Sequence, residues 1–254
     1  MKNWFYAFFM AWGMFLSLPC PFPRWREESR GRMLVCLPLI GLLEGGLWTL
    51  LVWLLTLLRL PEALSALLLA AFPWLVTGFL HLDGFMDVCD AVLSRRDLAV
   101  RQKILKDSHC GAFAVICMVL LALVQWSVWQ SVPLAGLPLL PLALLPCAVR
   151  ACAALAVSHL RPMQTSQYSG RPAMPAGHTA ALVLMLSAAC VLPVVFGGLA
   201  GLAPLAGAAC YCLAVRFAFR QLEGMSGDIS GFALTLGELA GTLFLCLTRY
   251  YLCT

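Results

Sequence analysis

The chain has 254 residues, 62% of them hydrophobic and only 11% charged, with 17 basic side chains against 12 acidic ones. Soluble domains carry roughly 25% charged residues, so a fold this poor in charge cannot cover its own surface for water and must present much of it to lipid. The net charge of +5 is not gathered into a basic run that would grip nucleic acid, and it reads instead as a membrane-topology signal.

Apolar stretches of about 20 residues suffice to cross roughly 30 Å of hydrocarbon. They lack period-two alternation, and in lipid the backbone must satisfy its own hydrogen bonds, so the fold class is an all-α, polytopic transmembrane helical bundle. One membrane domain covers 1–254. Residues 1–18 open with Lys2 and a long apolar stretch. No A-x-A cleavage site follows, and Pro19 precedes Cys20, so this segment reads as an uncleaved helix, either interfacial or an eighth span. Seven spans then follow at roughly 33–58, 62–80, 111–132, 139–158, 179–197, 200–219 and 231–252. Of the twelve cysteines, Cys36, Cys117, Cys147, Cys152, Cys190, Cys210, Cys212 and Cys246 sit inside apolar runs, and there is no CxxC pair. That pattern suits reduced thiols packed as small hydrophobes, not a disulfide framework or a zinc site.

The connections alternate in charge. Arg24, Arg26, Arg30 and Arg32 precede the first span, and Arg95, Arg96, Arg101, Lys103 and Lys106 fall in 81–110. Arg161 and Arg171 fall in 159–178, and Arg216 and Arg220 in 216–230. With seven spans these connections share one face, which the positive-inside rule makes cytoplasmic. The same face holds nearly all the acidic residues.

Chemistry is therefore expected there. In His81-Leu82-Asp83-Gly84-Phe85-Met86-Asp87-Val88-Cys89-Asp90 the three aspartates stand at i, i+4 and i+7, on one helical face. Carboxylates that close repel one another, and a hard cation such as Mg²⁺ or Mn²⁺ relieves the repulsion. An N-capping Asp83 followed by a solvated acidic face is the bland alternative. In Lys106-Asp107-Ser108-His109-Cys110-Gly111, Asp107 and Ser108 suit capping of the third span. Equally, Asp107 suits a ligand or proton acceptor, Lys106 a phosphate partner, and the free helix amides an anion cradle. Ser226-Gly227-Asp228-Ile229-Ser230-Gly231 opens the last span as a small-residue loop able to bring amides and a carboxylate to a phosphate. Glu44, Arg150 and Glu238 lie within spans, where charge is costly. Either Arg150 pairs with Glu44 or Glu238, or it clamps a pyrophosphate. His159 and His178 suit span ends, while His81 abuts the acidic cluster.

The runs HLDGFMDVCDA, KDSHCGA and SGDISGFALTLGEL, with LPLIGLLEGG at Leu37–Gly46, resemble the cobalamin synthase family, the adenosylcobinamide-GDP ribazoletransferases. The matches fall in the family's order from about Phe15 to Glu238. The resemblance implies an integral membrane enzyme using Mg²⁺ that joins adenosylcobinamide-GDP to α-ribazole or its 5′-phosphate and releases GMP, late in vitamin B12 assembly. On that footing Asp83, Asp87, Asp90 and Glu238 are expected at the metal. Asp107, Asp228 and Arg150 are expected in catalysis, and Lys106, Ser108, Gly227, Gly231 and His81 around the bound phosphates. Ala91 and Ala114 stand where the family has Gly, Ser226 where it has Thr, and Thr235 where an acid is frequent. The segment 161–178 matches only loosely. Phosphoryl transfer asks a protein mainly for positioning and charge neutralisation, which suits the same residues.

Two rivals remain at this stage. A phosphotransferase acting on CDP-activated alcohols also uses spaced aspartates, but its Ala-Arg signature is missing, since Phe85-Met86-Asp87 follows Gly84. A cation transporter would place its acids near the midplane between repeats. The expected partners are the two small-molecule substrates and membrane lipid, without nucleic acid. Contact with a second copy or with other corrinoid enzymes is left open.

Overall fold

The computed structural model describes residues 2–164, 166 and 173–253. Its helices are α1 (Lys2–Phe15), α2 (Arg30–Met33), α3 (Leu37–Leu58), α4 (Glu62–Val76), α5 (Leu80–Leu93), α6 (Leu98–Ile104), α7 (Ala112–Gln130), α8 (Leu139–His159), α9 (Ala176–Gly197), α10 (Ala203–Leu222) and α11 (Gly227–Cys253). The fold is a helical membrane bundle, with exposed Leu, Val and Phe over its flanks. The cysteines whose side chains are described are all free.

Among the described residues five helical stretches are long and apolar enough to cross a bilayer, or six if the bent α4–α5 pair is one crossing. The 47-residue stretch Ala176–Leu222 contains α9 and α10. The chain turns at Gly198, with φ of +58°, and Gly201 lies against the Pro193 backbone. Taking those two helices singly raises six to seven, the number read from the sequence. The sequence ran the second span to residue 80; in the structure α4 ends at Val76. Gly78 and Phe79 both take left-handed backbone, at φ of +59° and +63°, which a right-handed helix cannot absorb. α5 therefore leaves at 90° to α4, turned off the line of that crossing.

Close approach of small residues holds the bundle together, since lipid tails offer no hydrophobic drive between helices. Gly41 and Gly45 of α3 meet the backbone of α8 at Pro146 and Ala143. Gly207 of α10 and Gly237 of α11 face each other: a Cβ on either would stand 2.9 Å from the other's carbonyl oxygen.

Cross-contacts define the two ends. At one, Arg101 bonds Gln221, Gln102 bonds the Leu222 carbonyl, and Arg161 bonds that of Glu223, while Pro162 and Met225 form a single parallel bridge. At the other, Trp126 bonds the Ala63 carbonyl and Arg249 that of Ala135. The basic connections thus gather at one end; Arg171 lies outside the described residues. α1 belongs to that end too. Its Trp4 ring meets His178 at 5.3 Å, and just past its C-terminus Ser17 bonds the last carbonyls of α4. Fourteen residues rise only about 21 Å, so α1 lies along that end as an interfacial helix and does not add an eighth span.

Candidate active site

Two glycines set the geometry. A Cβ on Gly84 would stand 2.7 Å from the carbonyl oxygen of Asp228, and one on Gly231 would stand 3.0 Å from that of His81. With no side chain at either position, α5 crosses the first turns of α11 at backbone contact. Phe85 stacks on Phe232 at 5.7 Å beside the crossing, and the Thr235 hydroxyl donates to the His81 carbonyl. The crossing places the row of aspartates on α5 against Asp228.

The row spans about 10 Å of helix, and its members differ in surroundings. Asp83 is exposed, Asp87 half-buried and Asp90 buried. Asp87 lies between burial and its neighbours: desolvation first, then the charges of Asp83 and Asp228, push its carboxyl up to about 7 against the pull of Lys106. Asp228 is held from the other side, its Oδ2 accepting a 2.8 Å bond from Lys106 Nζ. Ser226 caps α11 by accepting from the Ile229 amide. Lys106 reaches Asp228 because α6 is pinned to the end of α10 by Arg101 and Gln102, the bonds noted above.

Asp90 serves the start of another helix. Its two carboxylate oxygens accept the amides of Gly111 at 2.5 Å and Ala114 at 3.0 Å. It caps α7 from a neighbouring helix and occupies two of the amides at that helix start. Gly111 is needed there, because a Cβ would meet the Asp90 carboxylate at 2.5 Å. Asp107 does not cap α7 either. It folds back on its own turn, accepting the His109 amide at 3.0 Å and its ring Nδ1 at 2.6 Å, and those bonds lower its pKa. Asp107 and Ser108 are both exposed in the loop that follows Lys106.

Four further residues of the expected site are buried. Arg150 is fully buried between Glu44 and Glu238, bonding Glu238 at 2.5 Å. Arg150 pairs with both carboxylates, as the paired alternative expected, and the groups lie inside the bundle. Gly231 packs against the backbone of His81. His81 itself is buried, and its Nε2 has no hydrogen-bond partner among the described residues. Gly227 keeps a place at the rim, half-buried at the start of α11. The structure therefore brings together Asp83, Asp87, Asp228 and Lys106 with Ser226 and Gly227. Among the described residues no three His, Cys, Asp or Glu groups form a closed metal cage. Asp83 and Asp87, one turn apart, are the pair that can hold a hard cation while leaving its other positions open.

The reading from sequence missed the Lys106–Asp228 pair and the capping role of Asp90. The first links two different connections and the second joins residues at least 21 positions apart, and no local pattern announces either.

The family model of cobalamin-5-phosphate synthase matches residues 7–246. A Clostridium botulinum protein (strain Alaska E43) named adenosylcobinamide-GDP ribazoletransferase is 35% identical over 259 residues, covering 97% of this chain and 99% of its own. A second, from strain Eklund 17B and of the same name, is 34% identical over 256 residues, with the same two coverages. A Clostridium perfringens relative (strain 13), again of that name, reaches 46% identity over 127 residues, 50% of this chain and 51% of its own. No solved structure matches. The match to the family model takes in the aspartate row, Lys106 and the Asp228 loop alike, and the chain belongs to the cobalamin-5-phosphate synthase family.

Proposed function

We propose that the protein is a membrane-embedded adenosylcobinamide-GDP ribazoletransferase working at the end of the bundle where Asp83, Asp87, Asp228 and Lys106 meet. A hydroxyl of α-ribazole or its 5′-phosphate attacks the cobinamide-linked phosphorus of the GDP-activated corrinoid. The new P–O bond forms as the bond to GMP breaks, the hydroxyl proton goes to a carboxylate, and cobalamin or its 5′-phosphate leaves with GMP. The observation that carries this reading is the convergence of three carboxylates and one lysine at a water-facing end, inside a chain matched to the family along nearly its whole length. By the positive-inside rule that end is cytoplasmic, in the inner membrane of a bacterium.

The donor chemistry fits Mg²⁺. Such ions take hard oxygen ligands and are usually held by one or two carboxylates plus substrate phosphates, not by an all-protein cage. Held by Asp83 and Asp87, Mg²⁺ would neutralise the diphosphate and stabilise the departing GMP. Lys106 Nζ, already at the cluster, supplies a second positive charge toward the phosphates, and its pairing with Asp228 keeps it extended there. Of the two expected proton acceptors, Asp228 adjoins Asp87 through the helix crossing, whereas Asp107 is occupied by His109.

The crossing itself is testable. In Gly84→Ala the added methyl group would overlap the Asp228 backbone and force α5 and α11 apart by several tenths of an ångström. Misplacement approaching 1 Å costs on the order of a hundredfold in rate. GMP release by Gly84→Ala should fall to roughly that degree while the protein still inserts. A rate within a factor of three of wild type would show that the crossing does not set the site.

Metal affinity should also depend on pH. Without metal, Asp87 keeps its proton up to about pH 7, and a cation must displace that proton. Mg²⁺ is therefore expected to bind about tenfold more tightly at pH 8 than at pH 6, levelling off above the Asp87 pKa. Calorimetry with Mg²⁺ alone reads this, and Asp87→Asn should flatten the profile. The same slope in Asp87→Asn would remove Asp87 from the ligand set.

The deciding experiment gives detergent-purified protein adenosylcobinamide-GDP and either α-ribazole or its 5′-phosphate, with Mg²⁺ or with EDTA. GMP and a cobalamin product in equal amounts, formed only with metal, are the expected result. Folded protein that releases no GMP under these conditions overturns the proposal.

A further inference from the structure

The outward side of α10 carries a feature the transferase reaction does not use. Ala214, Val215, Ala218 and Leu222 bury one side of this helix, and Gly207 sets it against α11. The other side carries Leu213 and Phe217, 68% and 48% exposed, with Arg216 and Arg220 one turn apart between and below them. These four residues and Gln221 line a cavity of about 310 Å³. A third guanidinium stands at its edge, since Arg101 of α6 donates to the Gln221 side chain at 2.6 Å. Among the described residues no carboxylate pairs with Arg216 or Arg220. The nearest acid along the chain, Glu223, lies past the helix end and lines a different cavity, beside Arg161.

Such a site asks for an anion and for hydrocarbon together. Two arginines whose heads lie at a membrane-facing helix end extend their stems along apolar surface toward the interface. Exposed Leu213 and Phe217 above them match acyl chains, and a soluble phosphate would leave those walls in contact with nothing. We infer that the Arg216–Arg220 face of α10 binds the headgroup of an anionic phospholipid, with its chains lying along Leu213 and Phe217. Arg101 adds its charge through Gln221, so the bound lipid also braces α6 against α10, the contact that holds Lys106 in reach of Asp228. The phosphates of the reaction meet Lys106 at the α5–α11 crossing, whereas Arg216 and Arg220 lie on the side of α10 turned away from α11.

Native mass spectrometry of the full chain in detergent, with phosphatidylglycerol and phosphatidylcholine at equal concentration, tests this. Near a membrane surface each arginine contributes a factor of about five toward an anionic lipid. The preference for phosphatidylglycerol should fall about thirtyfold in R216Q/R220Q, remain in R216K/R220K, and change less than about twofold in R95Q/R96Q, which removes as much charge from the connection between α5 and α6. The lysine variant separates loss of charge from loss of fold. An unchanged preference in R216Q/R220Q overturns the assignment, and so does an equal loss in R95Q/R96Q. Displacement of the lipid by inorganic pyrophosphate at matched concentration would also overturn it, making the face a site for soluble phosphates.

Discussion

Asp87→Asn is expected to lower GMP release by about a thousandfold or more while the protein inserts and unfolds as wild type does. Asp87 occupies the middle of the site: it lies one turn from Asp83, it feels the charge of Asp228, and it is half removed from water. Asparagine keeps the shape and removes the charge that would hold the cation against the diphosphate. Losing one preorganised electrostatic partner of a transition state costs roughly a hundred- to a thousandfold, and losing a metal ligand as well places the variant at the upper end. Stability should not suffer, because repulsion among the carboxylates burdens the folded protein without metal, and Asn relieves it. The measurement is single-turnover GMP release over a range of Mg²⁺ concentration. A variant restored by high Mg²⁺ would show that Asp87 tunes affinity only. An active variant at ordinary Mg²⁺ would take Asp87 out of the mechanism.

Asp90 stands one turn further along the same row, and the contrast shows where the sequence stops speaking. Spacing at i, i+4 and i+7 places three aspartates on one face, and they do share it. Spacing alone does not say what that face meets at each turn. Asp83 meets water, Asp87 meets Asp228 and Lys106, and Asp90 meets the first amides of α7, whose own flanking residue Gly111 has no side chain to cap with. The spans were legible because lipid imposes length and apolarity on each one separately. The break after Val76 was less so: Gly78 permits a left-handed turn, but Phe79 in the same conformation is a tertiary result. Glycines carried more than their letters suggested. Gly84 and Gly231 are where α5 and α11 touch, so they shape the site by what they let approach from behind. Thr235, at a position where an acid is frequent in the family, is placed in the same way, with its hydroxyl on the His81 carbonyl.

Arg150→Leu is expected to destabilise the bundle by about 3–5 kcal/mol, the cost of leaving buried charge without its partner. Arg150 has no exposed surface, and it bridges Glu44 on α3 to Glu238 on α11 from its own place on α8. Three helices thus meet at one guanidinium, beside the close α3–α8 contact made by Gly41 and Gly45. Removing the guanidinium leaves two buried carboxyl groups without their shared partner. Arg150→Lys should recover only part of the loss, because a single ammonium cannot fork to both carboxylates as the planar guanidinium does. Glu44→Gln should be milder than either, since Arg150 keeps Glu238. Thermal unfolding of the solubilised variants orders the three. The same series separates a structural role from a catalytic one. If Arg150 gripped the diphosphate, Arg150→Lys would lose turnover at unchanged stability. With the triad as the structure has it, stability and turnover should fall together, because α11 brings both Glu238 to the triad and Asp228 to the site.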